Sequence, residues 1–247
     1  MASKVFASAV DSGLLPRTPC RGVNLPRKDA TEKRYLSEDE VLQLVRATDP
    51  RYARMILAAA YTGLRFGELA ALRTASLDLL RRTLTVTETL SEVAGVVVIG
   101  PPKTNASRRL ISLPAFLSKE LADHLASYPP TEDGLVFTSP KGEPIRRTNF
   151  RLRVWLPAVR SSVGEPLRFH NLRDTHIAIL IAAGQHPKLI AERLGHTSVR
   201  TVLDVYGHLF EGLDSAAADA LDRSYRESAA ASARPATASN VVSLTPR

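Results

Sequence analysis

The sequence is short of cysteine, of long apolar runs and of metal-binding patterns. Its 247 residues contain one cysteine, Cys20, which excludes an intrachain disulfide and suits a reducing cytoplasm. The longest apolar stretches, IAILIAA and MILAAAY, fall far below the roughly 20 residues that span a membrane, and we expect no secretion signal. The sequence has no Walker-type phosphate loop, carboxylate triad or Cys/His cluster with metal-ligand spacing. We therefore expect a cytoplasmic protein that needs no cofactor.

Basic residues are abundant instead. Lysine and arginine outnumber aspartate and glutamate by 33 to 25, which gives a net charge of +8 and a pI near 9.9. This balance favours an anionic partner, usually nucleic acid, although it is also compatible with a membrane surface. A hydrophobic content of 44% is enough for one large domain with a substantial core.

The most informative stretch, 170–206, carries two polar clusters on a predicted helical framework. His170 and Arg173 are three residues apart and so share one face of a helix. A glycine after each of the next two apolar segments predicts a helix end, and His196 directly follows the second glycine. Tyr206 comes ten positions later on a third amphipathic segment. Together these side chains suit a site that holds a phosphodiester while a tyrosine attacks it.

Each of these residues alone has a simpler interpretation. A histidine after a helix-ending glycine is often a polar cap, a tyrosine on an amphipathic helix usually lies at the edge of the core, and an arginine three residues from a histidine usually belongs to a solvated face. The combination favours a functional site. The order H-x-x-R, L-G-H, Y resembles the tyrosine recombinase (phage integrase) family, and the segment LGHTSVRTVLDVYGHL is especially similar to integrases of phages and mobile elements.

The resemblance implies a set of catalytic residues. It makes Arg65, in the pattern T-G-L-R-x-x-E, and Arg173 the arginines that clamp the phosphate, and it gives Glu68 a supporting role in positioning them. His196 would donate a further hydrogen bond. Tyr206 would attack the phosphorus and form a 3′-phosphotyrosine.

The same resemblance implies proton transfers and partners. His170 is the candidate base for the phenol, whose reference pKa of about 10 requires help at neutral pH. Lys103, in a P-K-T-x-x-S-R-R turn that resembles the family's hairpin, is the candidate acid for the leaving 5′ oxygen; Arg108 and Arg109 are the runner-up phosphate contacts. The family uses neither metal nor ATP. The implied partners are double-stranded DNA attachment sites and three further copies in a tetramer, with accessory DNA-bending or directionality proteins as further candidates and no membrane.

A further basic segment is predicted to face DNA. FRLRVWLPAVRSS interleaves arginines with apolar residues at helical spacing, which predicts one face toward the core and one toward DNA. A merely solvated basic face is the alternative. Pro157 should end or kink this helix. The candidate contacts are Arg146, Arg147, Arg151 and Arg153.

The patterns predict a mainly helical α+β fold, which the resemblance identifies as the tyrosine recombinase catalytic-domain fold. Ser37 and Glu40 form a capping box ahead of an apolar helix. Segments near 83–89, 95–99 and 108–113 predict a small three-stranded antiparallel sheet. By domain, residues 1–34 resemble the end of the family's N-terminal DNA-gripping domain with its linker, 35–228 form the catalytic domain, and the low-complexity segment 229–247 is predicted to be disordered.

Two alternatives to a recombinase stay open. With only the end of the N-terminal clamp in the sequence, the chain would be a DNA-binding or synapse-assembly module with little turnover of its own. A type IB topoisomerase shares the chemistry but normally needs a larger clamp. One position departs from the family pattern: Asp174 stands where relatives usually carry a basic residue, and its carboxylate is expected to pair with Arg173 or His176.

Overall fold

The computed structural model describes residues 2–23, 34–93, 95–102, 107–196, 198–210 and 214–232. The chain divides into two compact units, Met1–Lys33 and Arg34–Arg247. The first unit contains helix α1 (Ala2–Asp11), none of whose side chains is buried. Residues 24–33 of the predicted N-terminal segment (1–34) and residues 233–247 of the predicted tail (229–247) lie outside the described residues. The proposed domain limits therefore remain predictions.

The second unit begins with two helices whose ends follow from their capping residues. Helix α2 (Glu38–Ala47) starts at the predicted capping box: the Ser37 hydroxyl accepts from the Glu40 N–H at 3.1 Å, and the Glu40 carboxylate accepts from the Ser37 N–H at 2.9 Å. Helix α3 (Pro50–Thr62) ends at Gly63, whose φ of 67° is left-handed. The remaining helices are α4 (Phe66–Ala70), α5 (Ala115–Ser127), α6 (Arg147–Phe150), α7 (Leu156–Ser161), α8 (Asn171–Ala182), α9 (Pro187–Leu194), α10 (Arg200–Tyr206) and α11 (Asp214–Ser232), with 3-10 turns at Thr74–Ser76 and Gly207–Phe210.

The small three-stranded antiparallel sheet is present, but one of its members differs from the prediction. Strand β2 (Thr83–Val86) pairs with β1 (Leu77–Asp78) on one side and with β5 (Arg109–Ser112) on the other. The segment near 95–99 is predicted in this sheet, but it forms β4 (Val96–Gly100) and pairs with β3 (Thr89–Val93) in a separate two-stranded ribbon. A short connection between β3 and β4 favours their pairing with each other, and in sequence this ribbon lies between β2 and β5.

The predicted helix through FRLRVWLPAVRSS is present and continues past its proline. A π-helical turn, Arg151–Trp155, separates α6 from α7, and the Leu156 N–H donates to the Arg151 carbonyl across this wider turn. Pro157, in the first turn of α7, has no N–H to donate, so it alters the helix locally and the helix continues. Trp155 is buried and donates to the Leu167 carbonyl at 3.0 Å, which gives this helix the core-facing side that its sequence predicted.

Two hydrophobic cores meet at α8. The larger contains α2, α3, α4, α5 and the sheet and includes Leu172, near the start of α8. The smaller gathers Ile177 and Ile181 of α8 with side chains of α9 and α10, and it includes Tyr206. Helix α8 therefore carries Arg173 at the boundary between the cores. No helix among the described residues is both long enough and apolar enough to cross a bilayer.

Candidate active site

Arg173 lies at the centre of the site and is only 3% exposed. Its guanidinium donates to the Gly63 carbonyl at 2.6 Å and to the Leu194 carbonyl at 2.7 Å. These carbonyls stand at the C-terminal ends of α3 and α9, where backbone oxygens lack helical partners and the helix dipole favours a cation. A buried charge is stable only when it is compensated in this way. The ends of two helices therefore fix the second predicted clamp arginine.

Gly63 allows these helices to approach Arg173 closely. A Cβ at this position would lie 2.7 Å from Cδ2 of His176 and 2.8 Å from a methyl carbon of Leu194, and its φ is one that other residues rarely adopt. Any side chain here would displace the neighbours of Arg173.

His196 is neutral and its ring accepts from Arg173. Its Nε2 lies 3.0 Å from Nη2 of Arg173, and because a guanidinium can only donate, Nε2 must be the acceptor. Burial and the charge of Arg173 lower the pKa of His196 to about 4. The single ring proton of His196 is consequently on Nδ1, a buried atom for which the described part of the chain offers no hydrogen-bond partner.

Arg65 is the more accessible of the two predicted clamp arginines. It precedes α4, its side chain is 42% exposed, and its Nη1 donates to the Glu68 carboxylate at 3.1 Å. Burial lowers the pKa of Arg173, and the like charge of Arg65 lowers it further, to about 9. Arg173 still remains protonated at neutral pH, so the site presents two cations.

Glu68 is buried and ionised, as a positioning carboxylate requires. Its side chain is 3% exposed and bonds to the backbone N–H of Arg65 at 2.8 Å as well as to the Arg65 guanidinium. Burial by itself would raise the pKa of Glu68, but the hydrogen bonds and charges of Arg109 and Arg65 outweigh it and hold the pKa below its usual value. Arg65 and Glu68 are therefore paired, and the pair is anchored by a buried carboxylate.

Arg109, a predicted runner-up phosphate contact, lies inside the site and is paired with the Glu68 carboxylate. Its side chain is 6% exposed and forms a two-toothed pair with Glu68. Its neighbour Arg108, directly before β5, is exposed. The predicted DNA contacts Arg146, Arg147, Arg151 and Arg153 are exposed; Arg146 also donates to the Gly95 carbonyl at 2.7 Å.

Tyr206 is held by Asp174 in the smaller core. Its hydroxyl is 2.5 Å from the Asp174 carboxylate, and the residue is only 5% exposed. The sequence predicts Arg173 or His176 as the partner of Asp174; the contacts described are with Tyr206 and, at 3.3 Å, with the side-chain amide of Asn171. The contact with Tyr206 arises because α10 packs beside α8 and brings a residue 32 positions away to the carboxylate. Burial, the hydrogen bond and the charge of Asp174 all raise the pKa of Tyr206.

The remaining predicted catalytic residues lie at the edges of this arrangement. His170 immediately precedes α8, is exposed and is near enough for its charge to lower the pKa of His196 slightly. Lys103 lies outside the described residues. Within the described ranges there is no group of three or more His, Cys, Asp or Glu residues arranged to hold a metal ion.

Sequence reasoning missed the role of Arg193 beside His176. His176 is buried and lies 3.1 Å from both the Ala60 carbonyl and Nε of Arg193. Burial and the charge of Arg193 lower the pKa of His176 to about 3, so the neutral ring donates from Nδ1 and accepts at Nε2. Arg193 also donates to the carbonyls of Tyr61 and Ser112. It thereby ties α9 to α3 and β5; only its closeness to the L-G-H segment hinted at such a role.

Comparison with known proteins identifies the family to which the chain belongs. The model of the phage integrase family matches residues 34–212. The ICEBs1 integrase of Bacillus subtilis is 32% identical over 233 residues, with 89% of this chain and 62% of the relative covered. The integrase of Staphylococcus phage L54a is 26% identical, with 83% and 64% covered. The chain thus spans less than two thirds of the length of these relatives.

Solved structures share the fold. The Tn1549 transposon integrase bound to circular intermediate DNA superposes with a TM-score of 0.72 at 20% identity, covering 90% of this chain and 76% of the other. The XerA recombinase superposes with a TM-score of 0.57 at 22% identity, covering 82% and 67%.

Proposed function

The chain belongs to the phage integrase family, and we propose that it is a tyrosine site-specific recombinase that cleaves and rejoins double-stranded DNA through a covalent bond to Tyr206. One observation carries the proposal. Two arginines, Arg65 and Arg173, and a neutral His196 converge around the end of α3, beside the helix that bears the tyrosine. Such a group matches the charge and hydrogen-bonding needs of a phosphodiester under attack.

The arginines would stabilise the charge of the transition state. A phosphodiester carries its charge on two non-bridging oxygens, and guanidinium groups remain cationic and can bind such oxygens through two N–H donors. Arg65 is exposed enough to meet DNA first, whereas Arg173 is preorganised by its carbonyl partners. Preorganised donors of this kind usually supply the largest part of catalysis.

His196 would change from acceptor to donor when phosphate binds. A phosphate oxygen that takes the N–H of Arg173 releases Nε2 of His196. Transfer of the ring proton from Nδ1 to Nε2 then creates a third donor beside the two arginines, with no change in charge.

In the chemical step, the phenol oxygen of Tyr206 forms a bond to phosphorus and the bond from phosphorus to the 5′ oxygen breaks. The phenol proton passes to a base, for which His170 and Asp174 are the candidates, and the departing 5′ oxygen takes a proton from Lys103. The phosphotyrosine retains the energy of the broken bond. A 5′ hydroxyl can therefore reverse the reaction on the same or another strand without ATP or metal.

A trapping experiment on randomised DNA tests this function whatever the target sequence. Purified protein is incubated in EDTA with duplexes that carry a random core and a nick on one strand. Cleavage beside the nick releases a short fragment and leaves the protein joined to the 3′ end. We expect a DNA-protein band that survives denaturing electrophoresis and yields a sequence motif when recovered. No adduct across the library, or an adduct that requires a divalent ion, contradicts the proposal.

Asp174→Asn is expected to speed adduct formation about fivefold. Tyr206 must leave its buried hydrogen bond to reach phosphate, and a neutral amide accepts this bond about 1 kcal/mol more weakly than a carboxylate. The measurement is the single-turnover rate at saturating DNA, with Asp204→Asn on α10 as the matched control. A large loss of rate in Asp174→Asn would instead make Asp174 the general base.

Assembly and location are part of the same proposal. Exchange between two duplexes requires four strand cleavages, so we propose a homotetramer on DNA, joined by accessory DNA-bending or directionality proteins, in the cytoplasm where the DNA is. A binding module without turnover is not favoured, since such a module needs no phosphate-binding group beside a tyrosine.

A further inference from the structure

Arg109 connects three parts of the site through hydrogen bonds. Its Nη1 and Nη2 donate to the two oxygens of Glu68 at 3.1 Å and 3.0 Å. Its Nε donates to the Arg193 carbonyl at 2.8 Å, and Nη1 also reaches the Ser107 carbonyl at 3.0 Å. One side chain on β5 thus contacts the carboxylate beside Arg65, the last turn of α9 and the backbone of Ser107, just before its own strand.

The Glu68 carboxylate is shared between a buried and an exposed arginine. Arg109 is 6% exposed, whereas Arg65 is 42% exposed. A half-exposed arginine alone has many side-chain conformations of similar energy, and the loss of this freedom opposes binding. A carboxylate fixed on its other side by a rigid two-toothed pair limits the conformations of Arg65 before DNA arrives.

We propose that Arg109 is a positioning residue that acts through Glu68 to orient Arg65 toward the scissile phosphate. The proposal rests on the proposed function, because Arg65 must be the residue that binds phosphate. Arg109 also holds the Arg193 carbonyl, next to the Leu194 carbonyl that binds Arg173. It therefore links the fixed positions of both clamp arginines.

Two other roles for Arg109 make different demands. A direct phosphate contact would have to compete with the Glu68 carboxylate for both terminal nitrogens of this guanidinium, whereas Arg173 bonds to neutral carbonyls and to the neutral ring of His196. If the Arg109–Glu68 pair only stabilised the fold, its effect would depend only on the neutralisation of one charge by the other. A neutral pair of similar size could then replace it.

The test is a double-mutant cycle of Glu68→Gln and Arg109→Gln, with Arg81→Gln as the control. Arg81 is an arginine of the β1–β2 turn whose side chain is 86% exposed. For each variant the single-turnover rate of adduct formation, the thermal unfolding midpoint and the salt dependence of DNA binding are measured. The double variant keeps the experiment interpretable if Arg109→Gln alone folds poorly, because it leaves no unpaired buried charge.

We expect each single substitution to slow adduct formation roughly 10- to 100-fold, the scale of a small misplacement of a catalytic group. The double variant should recover the unfolding midpoint but stay as slow as Glu68→Gln alone, because Arg109 acts through the same carboxylate. The salt dependence of DNA binding should not change. Arg109→Lys should fall between the wild type and Arg109→Gln, since an ammonium cannot hold both oxygens at once.

Either of two results would overturn the inference. A double variant that cleaves at the wild-type rate makes the pair purely structural. If the rate losses of the two single variants multiply in the double variant, and the salt dependence of DNA binding becomes less steep, Arg109 is a direct phosphate contact.

Absence of any adduct from the wild type defeats the proposed function instead. Positioning is then judged by nitrogen relaxation of the Arg65 side chain in the free protein: equal mobility in the wild type and the double variant would refute it.

Discussion

Tyr206→Phe is expected to abolish the covalent DNA-protein adduct while leaving DNA affinity within about threefold of the wild type, because affinity comes mainly from neutralised phosphates. The substitution removes one oxygen atom, which is the proposed nucleophile. In the free protein this oxygen is buried and bonded to Asp174, so it contributes nothing to a DNA-binding surface. The measurement is adduct yield on a nicked duplex, alongside the dissociation constant for the intact duplex.

The same variant needs a stability control. Loss of the phenol leaves the Asp174 carboxylate without this donor, at a cost of about 1–3 kcal/mol, so the unfolding midpoint should fall and the assay temperature must stay well below it. Tyr225→Phe is the matched variant, since Tyr225 is 74% exposed on α11; its adduct yield should equal that of the wild type. If Tyr206→Phe still forms adduct, Tyr225 becomes the first candidate nucleophile.

Arg173→Lys is expected to slow adduct formation by about 10²–10³-fold, comparable to the loss of one preorganised donor to a transition-state oxygen. The charge is conserved but the geometry is not. The guanidinium spans the Gly63 carbonyl, the Leu194 carbonyl and His196 at once, and a single ammonium cannot also direct two parallel donors at a phosphate.

The comparison for this prediction is Arg46→Lys, an exposed position on α2 whose variant should cleave normally. Unfolding midpoints separate a damaged fold from a damaged site, since one carbonyl left unpaired costs about 1–3 kcal/mol. An Arg173→Lys protein that cleaves within threefold of the wild type would remove Arg173 from the phosphate clamp.

Local patterns predicted the mainly helical fold, whereas the roles of the site residues came from the family resemblance and remain predictions. The capping box at Ser37 and the helix end at Gly195 are present because each depends on neighbouring residues only. The Glu68 carboxylate pairs with Arg65 for the same reason, because Glu68 lies three positions after Arg65 at the start of one short helix.

Contacts between distant segments could not be derived from local patterns. Arg109 has the sequence context of a surface arginine, and only Glu68, 41 residues earlier, gives it a buried role. Asp174 likewise has two nearer candidates for a partner, yet the packing of α10 on α8 brings Tyr206 to it. Strand pairing in the sheet likewise joins distant segments: β5 pairs with β2, although the ribbon of β3 and β4 lies between them in sequence.

The wide separation of contacting residues along the chain also determines the order in which a ribosome adds the proposed site residues. Arg173 lies 110 residues beyond Gly63, so at roughly 5–20 residues per second the ribosome adds it about 5–20 s later. Tyr206 is synthesised later still. A chain interrupted after Glu68 and before Arg173 carries Arg65 and Glu68 but neither the proposed nucleophile nor the second proposed clamp arginine. On the proposed mechanism, such a truncated product cannot break a DNA strand.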